Sequence, residues 1–130
     1  MQNSYGFGKK VNYSFEQALQ QIANELQKEG FGILTEIDVS ATMKRKLNKE
    51  IPPYRILGAC NPHLAQSALE TDPSIGLLLP CNVVVRQDDE KQVHVEFMDP
   101  EAILQLVNKP EIKQLAQEVK TRLQRVLHQI

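Results

Sequence analysis

Hydrophobic residues recur along the chain with two spacings, which separate predicted helices from predicted strands. Apolar positions three and four residues apart predict a helix that begins after Ser14 and ends before Gly30, with Ser14 and Gln17 forming a capping box at its start. The same spacing predicts a long C-terminal helix that begins at Pro110. Alternation of apolar and polar residues predicts strands in three places: residues 5–11, 31–39 and 54–60.

The middle of the chain is more continuously apolar. Residues 76–86 predict a strand that is buried on both faces and is broken near Pro80, because proline cannot donate a hydrogen bond to a sheet. Residues 91–98 alternate again after a turn, so they predict a hairpin with one face in water. Short helices are predicted to begin after three capping residues: Ser40, Asn61 and Asp99.

These elements predict one domain over residues 1–130 with the order β-α-β-α-β-α-β-β-α-α. Helical connections between the early strands favour parallel pairing there, whereas the hairpin adds antiparallel pairing. The water-facing side of the hairpin argues against helices on both sides of the sheet. We therefore expect a two-layer α+β fold, with a mixed, roughly five-stranded sheet and helices packed mainly on one face.

The amino-acid composition and charge of the chain limit the functions that we expect. Apolar residues make up 42% of the chain and charged residues 24%, which is typical of a globular domain. Lys and Arg number 15 against 16 Asp and Glu, so the basic excess of a duplex-binding protein is missing. The N-terminus lacks a signal-peptide pattern, and no apolar run is long enough to cross a bilayer. We expect a cytoplasmic protein that binds neither nucleic acid nor membranes.

Two Cys-Asn pairs are the strongest candidates for a functional site. Cys60-Asn61 and Cys81-Asn82 each lie where a predicted strand ends or is broken by proline. If the two strands are neighbours, these four side chains gather at one ligand site. Cys60 also precedes a helix N-terminus, whose free amides and dipole favour a thiolate. The alternative is that both cysteines pack in the core as small apolar groups, which is common for free thiols.

The sequence offers one candidate metal site and lacks several known catalytic motifs. His63 follows Cys60 by three residues, so Cys60, His63 and Cys81 form a conceivable zinc-ligand set, although their spacing matches no established zinc motif. The chain has no Cys-x-x-Cys pair, no phosphate-binding glycine loop and no Gly-x-Ser-x-Gly sequence. The sequence thus predicts no cofactor apart from this zinc alternative and leaves enzymatic activity open.

Three segments together resemble the bacterial "domain of unknown function 302" (DUF302) family. They are FGILTEIDV at 31–39, YRILGACNP at 54–62 and IGLLLPCNV at 75–83. Their order and spacing match, and the resemblance covers nearly the whole chain. It implies a compact α/β domain of bacteria or archaea, a homodimer and no established activity. His63 is not part of the family motif, which weakens the zinc hypothesis.

The leading hypothesis is a dimeric module that binds a small ligand or a partner around Cys60, Asn61, Cys81 and Asn82. One alternative is a thiol-dependent redox enzyme with Cys60 as nucleophile and Cys81 as resolving thiol. A second alternative is a protein that binds metal through the same two thiols.

Overall fold

A computed structural model describes residues 3–130, and within them the chain forms five strands and five α-helices. The strands are β1 (Gly6–Val11), β2 (Gly32–Asp38), β3 (Tyr54–Cys60), β4 (Cys81–Gln87) and β5 (Val93–Met98). The helices are α1 (Phe15–Lys28), α2 (Val39–Leu47), α3 (Pro62–Thr71), α4 (Pro100–Leu104) and α5 (Pro110–Gln129). A 3₁₀ helix, Pro73–Leu78, lies between α3 and β4. The predicted order of strands and α-helices is confirmed.

All five strands belong to one sheet in the order β1-β5-β4-β3-β2, and every neighbouring pair is antiparallel. The sheet is therefore not mixed, and the parallel pairing that we expected between early strands is wrong. The reason is topological. Helix α1 connects β1 and β2, which run in the same direction but lie at opposite edges of the sheet, so they never pair. Helices α2 and α3 each return the chain to the adjacent strand in the opposite direction.

The helices begin where the sequence supplies a cap. At α1, the Ser14 hydroxyl accepts a hydrogen bond from the Gln17 amide, and the Gln17 side chain accepts one from the Ser14 amide. At α2, the cap is Asp38 instead of the predicted Ser40: its carboxylate accepts from the Ala41 amide and from the Ser40 hydroxyl. A carboxylate at this position satisfies an otherwise free helical amide, so α2 begins at Val39, two residues earlier than a cap at Ser40 would place its start.

The core lies between the sheet and two helices, α1 and α5. Strand residues of one face, among them Leu57, Val83 and Phe97, are fully buried against Ile22 of α1 and Leu123 of α5. A second, smaller cluster joins the 3₁₀ helix to α3, α4 and α5 through five residues: Ala68, Ile75, Leu104, Ile112 and Ala116. Among residues 3–130, no helix is both long and apolar enough to pass through a bilayer. The two-layer arrangement with helices on one face is confirmed.

The opposite face of the sheet is only partly covered and carries charged side chains. Arg86 of β4 donates to the carboxylate of Glu96 on β5 at 2.7 Å, and His94 contacts the Asp88 carboxylate at 2.8 Å. These residues occupy the positions that alternate with the buried valines of the hairpin. The prediction of a hairpin with one wet face is confirmed.

Two local predictions are wrong. The predicted strand 76–86 begins only at Cys81, because residues Pro73–Leu78 form a 3₁₀ helix whose Leu77 is 88% exposed. Asp72 caps that helix. Pro80, which follows a cis peptide bond, has no backbone N–H group to donate a hydrogen bond, so the strand does not extend towards the N-terminus.

The alternation predicted for residues 31–39 is also interrupted. The register of β2 against β3 shifts between Ile33 and Thr35, so Leu34 is the extra residue of a β-bulge. Before the bulge, Ile33 shares a face with Ala59 beneath the helices. After it, Ile37 pairs with Ile56 on the partly covered face and is half-exposed. One extra residue thus moves the apolar positions of the strand from one face to the other.

Candidate functional site

The two Cys-Asn segments lie beside each other at one end of the sheet. Strand β3 ends at Cys60, β4 begins at Cys81, and the register places Cys81 directly opposite Ala59. Between them, the chain leaves the sheet after Cys60 and returns to the same end of it at Cys81. This segment comprises α3, the 3₁₀ helix and the turn at Pro80. Both cysteines are free thiols. The strands that carry them are therefore neighbours, as the ligand-site hypothesis requires.

A cavity of about 290 Å³ lies where these segments meet. It is bounded by the ends of β3 and β4, by α3, and by residues of α4 and α5. Cys60, Asn61 and Cys81 all line it. The cavity lies at the junction of the two hydrophobic clusters, because Ala59 and Val119 of the main core and Ala68 and Leu104 of the smaller cluster form parts of its wall. Its size is just below the usual range for small-molecule sites, about 300–1,000 Å³.

The wall of the cavity is uncharged. Every one of its sixteen lining residues lies in the described part of the chain, and none is Asp, Glu, Lys, Arg or His. Asn61 is the single amide side chain among them, and the others are aliphatic residues, one phenylalanine, glycine, proline and the two cysteines. Leu34 in the β2 bulge and Leu69 of α3 belong to the wall and are 68% and 43% exposed, so the cavity wall reaches the protein surface at these two residues.

Asn61 has a structural role and is positioned by the helix that it begins. Its Oδ1 accepts a hydrogen bond from the Leu64 amide at 3.2 Å, and Pro62 occupies the first position of α3. This confirms the predicted cap. The residue is 6% exposed, and it is the one buried polar residue in the part of the chain that the structure describes. Opposite it, Gly30 has φ +84°, and a Cβ there would lie 2.8 Å from Asn61 Nδ2.

The surroundings of both thiols of the cavity favour their protonated forms. Burial raises the pKa of Cys81 to about 11, with a smaller contribution from the nearby Cys60. Burial also raises the pKa of Cys60. We expected the start of α3 to favour a Cys60 thiolate, and that expectation is wrong. The Asn61 side chain accepts the hydrogen bond of the Leu64 amide, and the partly buried Cys60 lies in the apolar wall of the cavity, so desolvation raises its pKa.

Asn82 and His63 do not belong to the cavity wall. Asn82 follows Cys81 on β4, so its side chain points to the other face of the sheet, where it lines a separate depression with Tyr54 and Glu96. His63 is exposed on α3. Within residues 3–130, no three His, Cys, Asp or Glu side chains lie close enough to hold one metal ion. Cys60, His63 and Cys81 are therefore not gathered as a three-ligand set.

A larger depression of about 760 Å³ lies between α4 and α5, and three of its four charged lining side chains make contacts within the fold. Asp99 and Glu101 contact Lys120 at 2.9 and 3.6 Å, and Lys109 donates to the backbone oxygen of Thr71. These contacts hold α4 against α5 and the end of α3. We therefore regard the apolar cavity as the candidate site, since Cys60, Asn61 and Cys81 meet in its uncharged wall.

Several lining residues were missed at the sequence level. Phe31, Leu64, Leu115 and Val119 fit the apolar pattern of their strands and helices, which marks them as core without distinguishing a packed position from a cavity wall. Leu34 falls on the polar side of the predicted strand and reaches the cavity through the bulge. The one feature of the sequence that could have identified Leu34 is that an apolar residue occupies a position on the polar face of the predicted strand.

Comparison with known proteins places this fold in a known family of structures. A family model described as "Domain of unknown function DUF302" matches residues 7–130. The crystal structure of an uncharacterized conserved DUF302 protein from Bacillus stearothermophilus is similar, with a TM-score of 0.88. It is 26% identical in sequence, and the match covers 95% of this chain and 96% of that one. The comparison with curated proteins gives no match.

Proposed function

The chain belongs to the DUF302 family, and we propose that it is a binding module for a small, uncharged, largely apolar molecule held in the cavity beside Cys60 and Cys81. The observation that carries this proposal is the composition of the cavity wall. A concave site that is open to the surface, lined by apolar groups and supplied with few polar ones is typical of small-molecule binding.

The uncharged wall determines which class of ligand the cavity can bind. A charged ligand would lose its hydration on entering and would find no counter-charge among the lining residues. The two thiols do not supply one, because burial raises the pKa of both. The driving force is therefore the removal of apolar surface from water, and the ligand is one whose interaction with the wall is mainly hydrophobic.

The redox alternative is weaker on the same grounds. A nucleophilic cysteine needs a stabilised thiolate, whereas the surroundings of Cys60 and Cys81 favour the protonated forms. The zinc alternative lacks a third ligand near the thiols within the described chain. In the proposed function, the cysteines contribute small, polarizable surface to the wall.

Binding is tested by NMR titration of the isotopically labelled protein with acetophenone, a small uncharged aromatic ketone. We expect saturable shifts of amides around the cavity, such as those of Ala65, Cys81 and Leu115. Replacing Ala65 by Leu fills the cavity and should abolish these shifts. The matched control is Ala41→Leu on the exposed surface of α2, which should bind as the wild type does. Absence of saturable shifts around the cavity would refute the proposal.

The homodimer that the family resemblance implies is a second, separate proposal. Its candidate surface is the partly covered face of the sheet, where the register places Ile37, Ile56 and Val84 in one row across three strands. Sedimentation equilibrium of the wild type and of Ile37→Lys tests it. We expect a dimer that the lysine dissociates, and a monomeric wild type would exclude the dimer. The cytoplasmic location stays a prediction from the sequence.

A further inference from the structure

The apolar wall of the cavity continues onto the protein surface at two leucines. Leu34 of β2 and Leu69 of α3 both line the cavity, and both residues are exposed. They come from different elements, so the edge strand of the sheet and a helix share this outer apolar surface. An apolar residue that is exposed singly needs no explanation, whereas apolar surface that continues from a cavity is typical of a ligand-binding groove.

The position of Leu34 follows from the β-bulge. Leu34 is the extra residue between Ile33 and Thr35, where the register against β3 shifts. A bulge interrupts the ladder of hydrogen bonds and changes the direction of a side chain, and bulges are frequent beside functional sites. Here the residue at the bulge is a leucine that lines the cavity and stays exposed to water. Regular strand pairing is thus interrupted where the wall of the cavity gains apolar surface.

The volume of the cavity limits how much of a ligand it can enclose. An engineered cavity of about 150 Å³ holds one benzene molecule, so a cavity of about 290 Å³ has room for roughly ten carbon atoms. A longer molecule must extend past the wall, and at Leu34 and Leu69 the surface that it meets is apolar. Gly76 also lines the cavity, and a Cβ there would meet no atom within 4 Å, so this part of the wall leaves further space.

We infer that the ligand is an uncharged amphiphile whose unbranched hydrocarbon chain begins in the cavity beside the two thiols and continues along Leu34 and Leu69 at the surface. This inference rests on the proposed function, because it concerns the ligand of the same cavity. The chain binds in both places for one reason, since each methylene group that leaves water adds to the affinity. The polar head stays in water, because the wall offers it no charged partner. A compact ligand would fill the cavity but would leave the two leucines uncovered.

The test uses alkyl maltosides with chains from hexyl to dodecyl, titrated below the concentrations at which they form micelles. The maltose head is uncharged and larger than the cavity, so only the chain can enter. Binding is followed by NMR shifts of the cavity amides in the wild type and in two variants, Leu34→Thr and Leu69→Gln. Both variants replace an exposed leucine. Leu47→Gln on α2 is the matched control, because Leu47 is also exposed but does not line the cavity.

We expect the affinity to rise along the series, about fourfold for each methylene group that is fully buried and less for those that lie along the surface. The decisive quantity is the affinity for dodecyl maltoside divided by the affinity for acetophenone, which fits inside the cavity. Leu34→Thr and Leu69→Gln should each lower this ratio about three- to tenfold, as expected when a partly covered leucine is lost. Leu47→Gln should leave the ratio unchanged.

The outcomes separate the inference from the function on which it rests. If acetophenone shifts the cavity amides but dodecyl maltoside does not, the cavity binds compact molecules and the inference is wrong. The same conclusion follows if the ratio is equal in the wild type, Leu34→Thr and Leu69→Gln, or if it falls as much in Leu47→Gln. If no probe shifts the cavity amides of the wild type, the proposed function and this inference fall together.

A further variant shows whether the chain enters the cavity at all. Ala65→Leu fills the cavity, so it should abolish the binding of acetophenone and of every maltoside. Dodecyl maltoside that still bound to this variant with the affinity of the wild type would lie only on the surface, and this result would overturn the inference.

Discussion

Gly58 of β3 and Thr35 of β2 face each other so closely that a Cβ on Gly58 would lie 2.1 Å from Thr35 Oγ1. The same Cβ would lie 2.8 Å from Cγ of Pro80. Glycine at position 58 therefore allows β2 and the turn at Pro80 to approach β3 together. This approach occurs directly beside the bulge that carries Leu34 and directly before the strand residues that line the cavity, so it helps to shape the candidate site.

Replacing Gly58 by Ala should destabilise the protein by about 1–3 kcal/mol, the usual cost of forcing an extra carbon into a packed region. The measurement is the midpoint of urea denaturation. The control is Gly32→Ala on β2, where a Cβ would meet nothing within 4 Å, and its effect should stay within about 0.5 kcal/mol. If Gly58→Ala were as stable as the control, the close approach to Thr35 and Pro80 would be wrong.

Replacing Gly30 by Ala should also destabilise the protein, but for a different reason. Its φ of +84° is a backbone conformation that residues with a Cβ adopt at a cost, and a Cβ there would also meet Asn61 Nδ2 at 2.8 Å. We expect Gly30→Ala to lose about 1–2 kcal/mol from the backbone conformation, and to displace the Asn61 side chain. Urea denaturation checks the first effect, and the NMR signal of the Asn61 side-chain amide checks the second. Gly76→Ala, with no atom within 4 Å of its Cβ, should leave both unchanged.

The fold was largely predictable because its determinants are local. The capping box at Ser14, the Asn61-Pro62 start of α3 and the alternation of the hairpin each lie within a few residues, and all three are confirmed. Strand pairing is not local. Strands β1 and β2 do not pair, because β5, β4 and β3 lie between them in the sheet. The spacing of apolar residues within β1 and β2 does not predict that other strands separate them. The predicted mixed sheet failed for this reason.

The candidate site was predictable only in part. The repeated Cys-Asn pattern identified the correct end of the sheet, since Cys60, Asn61 and Cys81 line one cavity. The pattern did not predict that Asn82 points to the opposite face of the sheet. Adjacent residues of a strand point to opposite faces, so Asn82 lies away from Cys81 although the two are neighbours in sequence. The shift of the Cys60 pKa was expected in the wrong direction. The start of α3 can be predicted from the sequence, but the apolar surroundings come from residues of β2, β4, α4, α5 and the 3₁₀ helix, which only the fold brings together.

Acidification should test the contact between the end of α1 and α5. Arg125 of α5 donates to the carboxylate of Glu29 at 2.8 Å, and this hydrogen bond is the main cause that lowers the pKa of Glu29. A lowered pKa in the folded state stabilises the protein above the ordinary value of 4.5, and that contribution is lost as the pH falls below it. Glu29→Gln should therefore show a flatter decline of stability between pH 6 and pH 3 than the wild type.

The matched control for this acid prediction is Glu70→Gln, an exposed glutamate of α3. Its stability should decline with falling pH as steeply as that of the wild type, and urea midpoints at each pH provide the comparison. Equal slopes for Glu29→Gln and the wild type would contradict the assigned role of the Glu29–Arg125 contact.

Alkaline pH should reveal the burial of Cys81. Its pKa is about 11 in the folded protein against an ordinary value of 9.0, so the unfolded chain releases the thiol proton at lower pH than the folded one. The stabilisation is fully present below pH 9 and is lost as the pH rises towards 11, by about 2 kcal/mol at the upper end. Tyrosine and lysine also titrate in this range, so the comparison must be made with Cys81→Ala. That variant should be less stable at pH 8, because it leaves a small void, but its stability should fall less steeply between pH 8 and pH 11. Parallel declines in the two proteins would show that Cys81 is not held in the apolar environment on which the proposed function depends.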